Sequence, residues 1–209
     1  MKLQQQLVQK HPCPQASCSR GFSAIELVVT LGLILILGAF AVPMLMRALR
    51  IYQLNDNATQ LAGMLKLTRF EAIRNNTKVD CKFQPSGAGW MVWSAFANGA
   101  PGAQQRQLAL GGYANLLPAG PPVPDPAPIA ATLGGGGTLG LNTVSGATGL
   151  IRFDSRGAVD FQGAAWSVQV FYLGNAGDPS AGYRAVLVMP AGTTQIWRAS
   201  AAGDWQRTS

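Results

Sequence analysis

The sequence predicts an α+β protein: a long N-terminal helix, membrane-spanning in its first half and amphipathic in its second, packed on an antiparallel β-sheet head. Three observations carry this expectation. Residues 27–46 form an uncharged run of twenty, LVVTLGLILILGAFAVPMLM. Apolar residues then continue at three- and four-residue steps, and from Thr77 onward short alternating strands are separated by Gly- and Pro-rich turns.

At 1.5 Å rise per residue the run 27–46 makes a helix of about 30 Å, the thickness of a bilayer's hydrocarbon core. This span explains a composition of 48% hydrophobic and 12% charged residues in a chain of 209, with a mean hydropathy of +0.15. Lys2, Lys10 and Arg20 precede the run and Arg47 and Arg50 close it, so the basic flanks alone orient it only weakly. Beyond it, Leu54, Ala58, Leu61, Leu65 and Ala72 share one helical face with Ile51, Phe70 and Ile73 beside them, while Asn57, Gln60, Lys66 and Arg74 fall elsewhere. Asn75-Asn76 offers the helix end. A helix over 22–76 is about 80 Å long by the same rise, half in lipid and half packed on a head.

Strands are expected at 79–83 and 90–96, as a hairpin about Pro85-Ser-Gly-Ala-Gly89, and at 150–153, 159–161, 166–173, 183–189 and 195–198. One antiparallel sheet with a face on the helix is the economical arrangement. The stretch 97–149 is rich in Gly, Pro and Ala and reads as a long loop with one short strand near 105–110. Trp90, Trp93, Trp166 and Trp197 read as strand packing residues, and Cys81 as a buried small apolar one.

The residue inventory limits the chemistry. His11 is the single histidine, and Cys13, Cys18 and Cys81 are odd in number. Loss of the N-terminus leaves no histidine for a catalytic triad or a His-rich zinc site. The glycines at 134–137 lack the Lys-Ser/Thr of a phosphate loop, and Asp154 and Asp160 lack the alternating acids of a calcium loop. No enzyme activity, cofactor or metal is expected. The net charge of +7 falls to +4 after position 21, where thirteen Lys and Arg face nine Asp and Glu; that balance permits a polyanion partner without demanding one.

The sharpest signal is Arg20-Gly-Phe-Ser-Ala-Ile-Glu-Leu27, which runs straight into the apolar span. A charged Glu26 at the head of a membrane helix costs a few kcal/mol unless paired, although an acid also suits a helix N-terminus in the headgroup region. The string resembles the class III signal of type IV prepilins and type II secretion pseudopilins. The resemblance implies cleavage after Gly21 by a prepilin peptidase, N-methylation of Phe22, and Glu26 as fifth residue of the mature chain. Pro43 matches the proline these proteins carry partway down the span, and Ala24 departs mildly from the usual larger residue. An N-terminal ammonium on one subunit then neutralises Glu26 of a neighbour, which makes Glu26 the registration residue of a filament. Pro43, lacking an amide hydrogen, loosens or kinks the helix for packing, or is simply a tolerated membrane-helix proline.

Further along, Leu65-Lys-Leu-Thr-Arg-Phe-Glu-Ala-Ile-Arg-Asn-Asn76 is similar to the helix-end motif of the GspH/FimT minor pseudopilins, followed by the strand with Trp90 and Trp93 and the late Ile151-Arg-Phe-Asp-Ser-Arg-Gly157. On that resemblance the chain divides into a leader at 1–21, a transmembrane helix half at 22–46, a periplasmic helix half at 47–76 and a β-rich head at 77–209, with its Gly/Pro-rich loop at about 97–149. The implied function is a minor subunit that joins or primes the periplasmic filament of a type II secretion system or type IV pilus. The implied partners are the prepilin peptidase/methyltransferase, other pilin or pseudopilin subunits, an inner-membrane assembly platform and the bilayer, with the N-terminus cytoplasmic before cleavage and the head periplasmic. From the residues alone, Arg69, Glu71 and Arg74 are charges on a solvated helix face, Glu71 and Arg74 being spaced as an i,i+3 pair.

Two alternatives stand beside this reading. Some FimT relatives bind DNA through a C-terminal Gly-Arg-x-Arg; the matching turn here, Gly192-Thr-Thr-Gln195, lacks both arginines, and Arg152, Arg156, Arg184, Arg198 and Arg207 are the remaining candidates for phosphate contacts. Ala39-Phe-Ala41 has the small-x-small form of a secretory cleavage site that would release a soluble protein at Val42.

Overall fold

The computed structural model describes residues 22–87, 89–97, 104–133, 140–143, 149–163, 165–201, 203 and 205–208. The leader with Gly21, and the glycines at 134–137, lie outside the described residues. Two compact units divide the chain, 1–42 and 43–209. Helix α1, Ala24–Arg74, supplies residues to both. In the first unit it exposes its apolar side chains, from Phe22 just before it at 80% to Leu35 at 73%. It is long and apolar enough to cross a membrane, and Pro43 sits inside it without ending it.

In the second unit α1 becomes one-sided. Leu54, Ala58, Leu61, Leu65 and Ala72 are at most 1% exposed, as the three-and-four spacing requires. Thr68 completes the stripe and returns its hydroxyl to the Met64 carbonyl at 2.9 Å, which lets a polar residue stay buried there. Asn57, expected outside, is buried because its amide donates to the Gly111 carbonyl at 3.1 Å. Phe70 and Ile73, expected beside the stripe, lie off it and are 63% and 42% exposed. Asn76 adopts φ +46°, and the amides of Asn76 and Thr77 return to the carbonyls of Ile73 and Ala72, a Schellman end of the kind asparagine tolerates.

Among the described residues ten strands, a short α-helix and a 3-10 turn at Pro179–Ala181 follow: β1 Val79–Ser86, β2 Gly89–Phe96, β3 Gln104–Leu110, β4 Asn115–Leu117, α2 Ala127–Leu133, β5 Gly140–Thr143, β6 Gly149–Phe153, β7 Ser167–Gly174, β8 Tyr183–Val188, β9 Thr194–Ala199 and β10 Gln206–Arg207. The expected single sheet is two sheets. One has the order β3-β2-β1-β6; the other runs β10-β9-β8-β7-β4, with β5 paired parallel to β7 as the exception to an antiparallel pattern. The hairpin β1–β2 has the expected strands, extended to Ser86 and Gly89. The strand expected at 159–161 reduces to one bridge, Val159 to Phe153, because the chain turns away after Asp160.

One core joins the α1 stripe to Cys81, Phe83, Val92 and Phe153 of the first sheet and to Phe171, Leu173, Val186 and Val188 of the second. A second core lies on the opposite face of β7 and β8, where Val170, Tyr172, Ala185 and Leu187 meet Leu117, Val123, Ile129 and Trp205. Strands covered on both faces carry continuous rather than alternating apolar runs, as SVQVFYLG and YRAVLV do. The segment 97–149 is therefore more than a loop: its described parts form β3, β4, α2 and β5 and place Leu110, Ala114, Leu116, Leu117, Val123 and Ile129 in the cores. Trp166, expected to pack, is 73% exposed, because it precedes β7 rather than belonging to it.

Removal of the Leu61 side chain should cost about 2–5 kcal/mol through the cavity left in the joint core, whereas Leu35→Ala should change head stability by less than about 0.5 kcal/mol. Urea unfolding of both variants in detergent, followed by tryptophan fluorescence, measures the difference.

Candidate assembly helix and head surface

Glu26 occupies the first turn of α1, where a carboxylate favours the unpaired amides. Its flanking residues Ile25, Leu27 and Val28 are 54–72% exposed apolar side chains. No cation forms an ion pair with Glu26 among the described residues. Phe22 and Ser23 precede the helix, and the Ser23 carbonyl accepts the Leu27 amide at 3.1 Å. Pro43 lies about 25 Å further along by the helical rise.

The head answers its own charges more fully. Arg152 stands directly across from Asp80 in the β1–β6 ladder and grips it with two hydrogen bonds, Nε to Oδ1 at 2.6 Å and Nη2 to Oδ2 at 2.9 Å. Asp80 is 2% exposed, and its bond raises the Arg152 guanidinium above the usual arginine range. Lys78 pairs with Asp160 at 2.8 Å; the lysine and then the Gln162 amide hold the Asp160 carboxyl below its ordinary 3.8. Arg50, on α1, pairs with Asp178 and lies 5.7 Å from the centre of the Tyr113 ring, whose hydroxyl donates to the Asp178 carbonyl.

The helix-end charges are not simply solvated. Arg69 Nε donates to the Gly157 carbonyl at 2.9 Å, and Glu71 lies 3.4 Å from Arg106 of β3 rather than pairing with Arg74. Gly192 and Gly157 pack beside Arg69, and Gly192 adopts φ +78°, so this turn is shaped for close packing where the resemblance places a basic motif. Cys81 is fully buried, and burial pushes its thiol up to about 12.

The five arginines weighed for phosphate contact do not converge. Arg152 belongs to Asp80. Arg184 is 7% exposed, donates to Asn55 Oδ1 at 2.7 Å and to its own strand's Tyr183 carbonyl, and is lowered first by burial and then by the charge of Arg198. Arg156, Arg198 and Arg207 are exposed, but Arg198 lies opposite Arg184 and Arg207 opposite Trp197, which puts them on opposite faces of the second sheet. An open groove of about 930 Å³ runs past Trp166, Phe161, Met189, Pro190 and Arg156. The sequence held no signal for it beyond Trp166, whose apolar surroundings made it read as core.

Helix α1 is apolar and exposed toward its N-terminal end, and from Leu54 onward it is buried against the β-rich head. The family model of the type II transport protein GspH matches residues 57–192, and the chain belongs to that family. Two crystal forms of the type IV minor pilin FimU of Pseudomonas aeruginosa PAO1 are similar in structure: 15% identity over 73% of this chain and 93% of that one with a TM-score of 0.46, and 16% over 72% and 97% with 0.44. No curated protein matches the chain. The protein is thus a minor pseudopilin or pilin subunit, of a family of structural subunits that associate with other pilin-type chains. Among the described residues one helix is long and apolar enough to cross a membrane, consistent with a membrane anchor.

Arg152→Ala strands a buried carboxylate and should cost about 3 kcal/mol, against less than about 0.5 kcal/mol for Arg156→Ala, by denaturant unfolding. Because the folded Asp160 has a lowered pKa, its contribution is present above about 3.8 and lost as pH falls below it. Melting temperature scanned from pH 6 to pH 2 should fall less steeply for Asp160→Asn than for the parent.

Proposed function

We propose that the chain is cut between Gly21 and Phe22 by a prepilin peptidase on the cytoplasmic side of the inner membrane and methylated at Phe22. It then enters the periplasmic filament of a type II secretion system or type IV pilus through an inner-membrane assembly platform. Its head stands in the periplasm. The observation that carries this reading is the position of Glu26: a carboxylate in the first turn of an exposed apolar helix, with no cation of its own chain paired to it among the described residues. A charge in that setting is stabilised by a cation brought from outside, and the new amine at Phe22 of an adjacent subunit has the required charge. Pro43 removes one helical hydrogen-bond donor in the same span and gives local freedom for close packing.

The intact mass and N-terminal sequence of the protein extracted from its native membrane should correspond to a chain beginning at Phe22 with one added methyl. A start at Met1 or Val42 would refute the pathway. Glu26→Gln should still be processed but should enter filaments roughly tenfold less, the factor that about 1.4 kcal/mol of lost pairing represents; quantitative immunoblotting of sheared filaments reads it, and normal incorporation would remove Glu26 from the assembly role.

A further inference from the structure

Strand β6 ends the first sheet, and among the described residues only half of its outer edge is covered. The ladder geometry fixes which groups point outward. Asp160 donates its amide to the Arg152 carbonyl at 2.8 Å, and Asp154 donates to the Ala158 carbonyl at 2.9 Å, so residues 152 and 154 turn their main-chain groups away from β1. By the two-residue period Leu150 does the same. Beyond Asp160 the chain swings off: Gln162 adopts φ +52°, its amide held by Asp160 Oδ1 at 3.1 Å. The amide and carbonyl of Leu150 are left with no main-chain partner among the described residues.

Two spaces border this segment. On the outer face, about 390 Å³ opens beside Leu150, Lys82 and Trp93; Lys82 and Leu150 are ladder partners, and Leu150 is 48% exposed. Along the edge itself, about 280 Å³ lies between Leu150, Ile151 and Arg152 and the segment with Asp160 and Gln162, a lining of mixed polarity. An added strand sends successive side chains to alternate faces, so a strand laid along this edge sends every second side chain toward the space beside Lys82. The covered half shows the charge pattern. There the segment's own Asp160 sits opposite Arg152 and pairs with Lys78, whereas Lys82 has no ion pair among the described residues.

We propose that the outer edge of β6 at 149–151 receives an extended strand of a neighbouring pilin-type subunit, which places an acidic side chain near Lys82. The edge supplies affinity through the Leu150 amide and carbonyl, and Lys82 with the space beside it supplies selectivity. The identity of the partner rests on the filament reading above; the open edge does not.

The test uses the full-length protein in its native host. Amide hydrogen exchange at Leu150, read by mass spectrometry, should be about tenfold slower in assembled filaments than in the isolated protein in detergent. Leu150→Pro removes an amide that β1 does not use, a place where an edge strand tolerates proline; it should keep the circular dichroism spectrum and melting temperature while incorporation falls about tenfold. Should that variant lose stability, Lys82→Glu leaves β6 untouched and should lower incorporation in the same way. Unchanged Leu150 exchange in assembled wild-type protein overturns the inference, as does parental incorporation of Lys82→Glu. A wild-type chain that never enters a filament overturns the filament reading with it.

Discussion

The head depends on one contact: the stripe Leu54, Ala58, Leu61, Leu65 and Ala72 of α1 buried against both sheets at once. Each buried leucine of that stripe is worth about 1.5–3 kcal/mol. The helix and the shared core keep the inner faces of the two sheets from water. Polar residues are admitted to the stripe only with a partner in place, as Thr68 and Asn57 are. The helix ends where its stripe ends, at Asn76, whose left-handed turn sends the chain into β1.

Charge is handled differently along the chain. In the head, Asp80 is buried but gripped by Arg152, Lys78 meets Asp160, and Arg50 meets Asp178. Each pair spans residues distant in sequence, so each sets a tertiary register. The Asp80–Arg152 pair fixes β6 against β1, and the Arg50–Asp178 pair ties α1 to the turn before β8. Glu26 has no ion pair among the described residues, and the proposed assembly role rests on that contrast.

The arginines show why residue type alone misleads. Arg152, Arg156, Arg184, Arg198 and Arg207 are equivalent as letters, yet one is consumed by a buried carboxylate, another is buried against Asn55, and the rest are spread over different faces. Arg69 and Glu71, read as surface charges, proved to reach Gly157 and Arg106. Nothing local announces these contacts, because the partners lie 35 or more residues away and arrive only through sheet pairing.

By itself the sequence determined the elements whose physics is local. The membrane-length apolar run, the helical stripe to Asn76, the β1–β2 hairpin and the apolar strands β7 and β8 were all legible, because periodicity and turn chemistry act over a few residues. The helix-end motif likewise carried the likeness to the GspH family. Only the tertiary structure decided that the head has two sheets rather than one, that β5 joins in parallel, and that 97–149 supplies strands, a helix and part of a second core. In that segment Leu117, Val123 and Ile129 are scattered apolar residues among glycines and prolines, with no periodicity of their own. Their meaning comes from the outer face of β7 and β8, some forty to seventy residues later, and burial against a distant surface leaves no local trace.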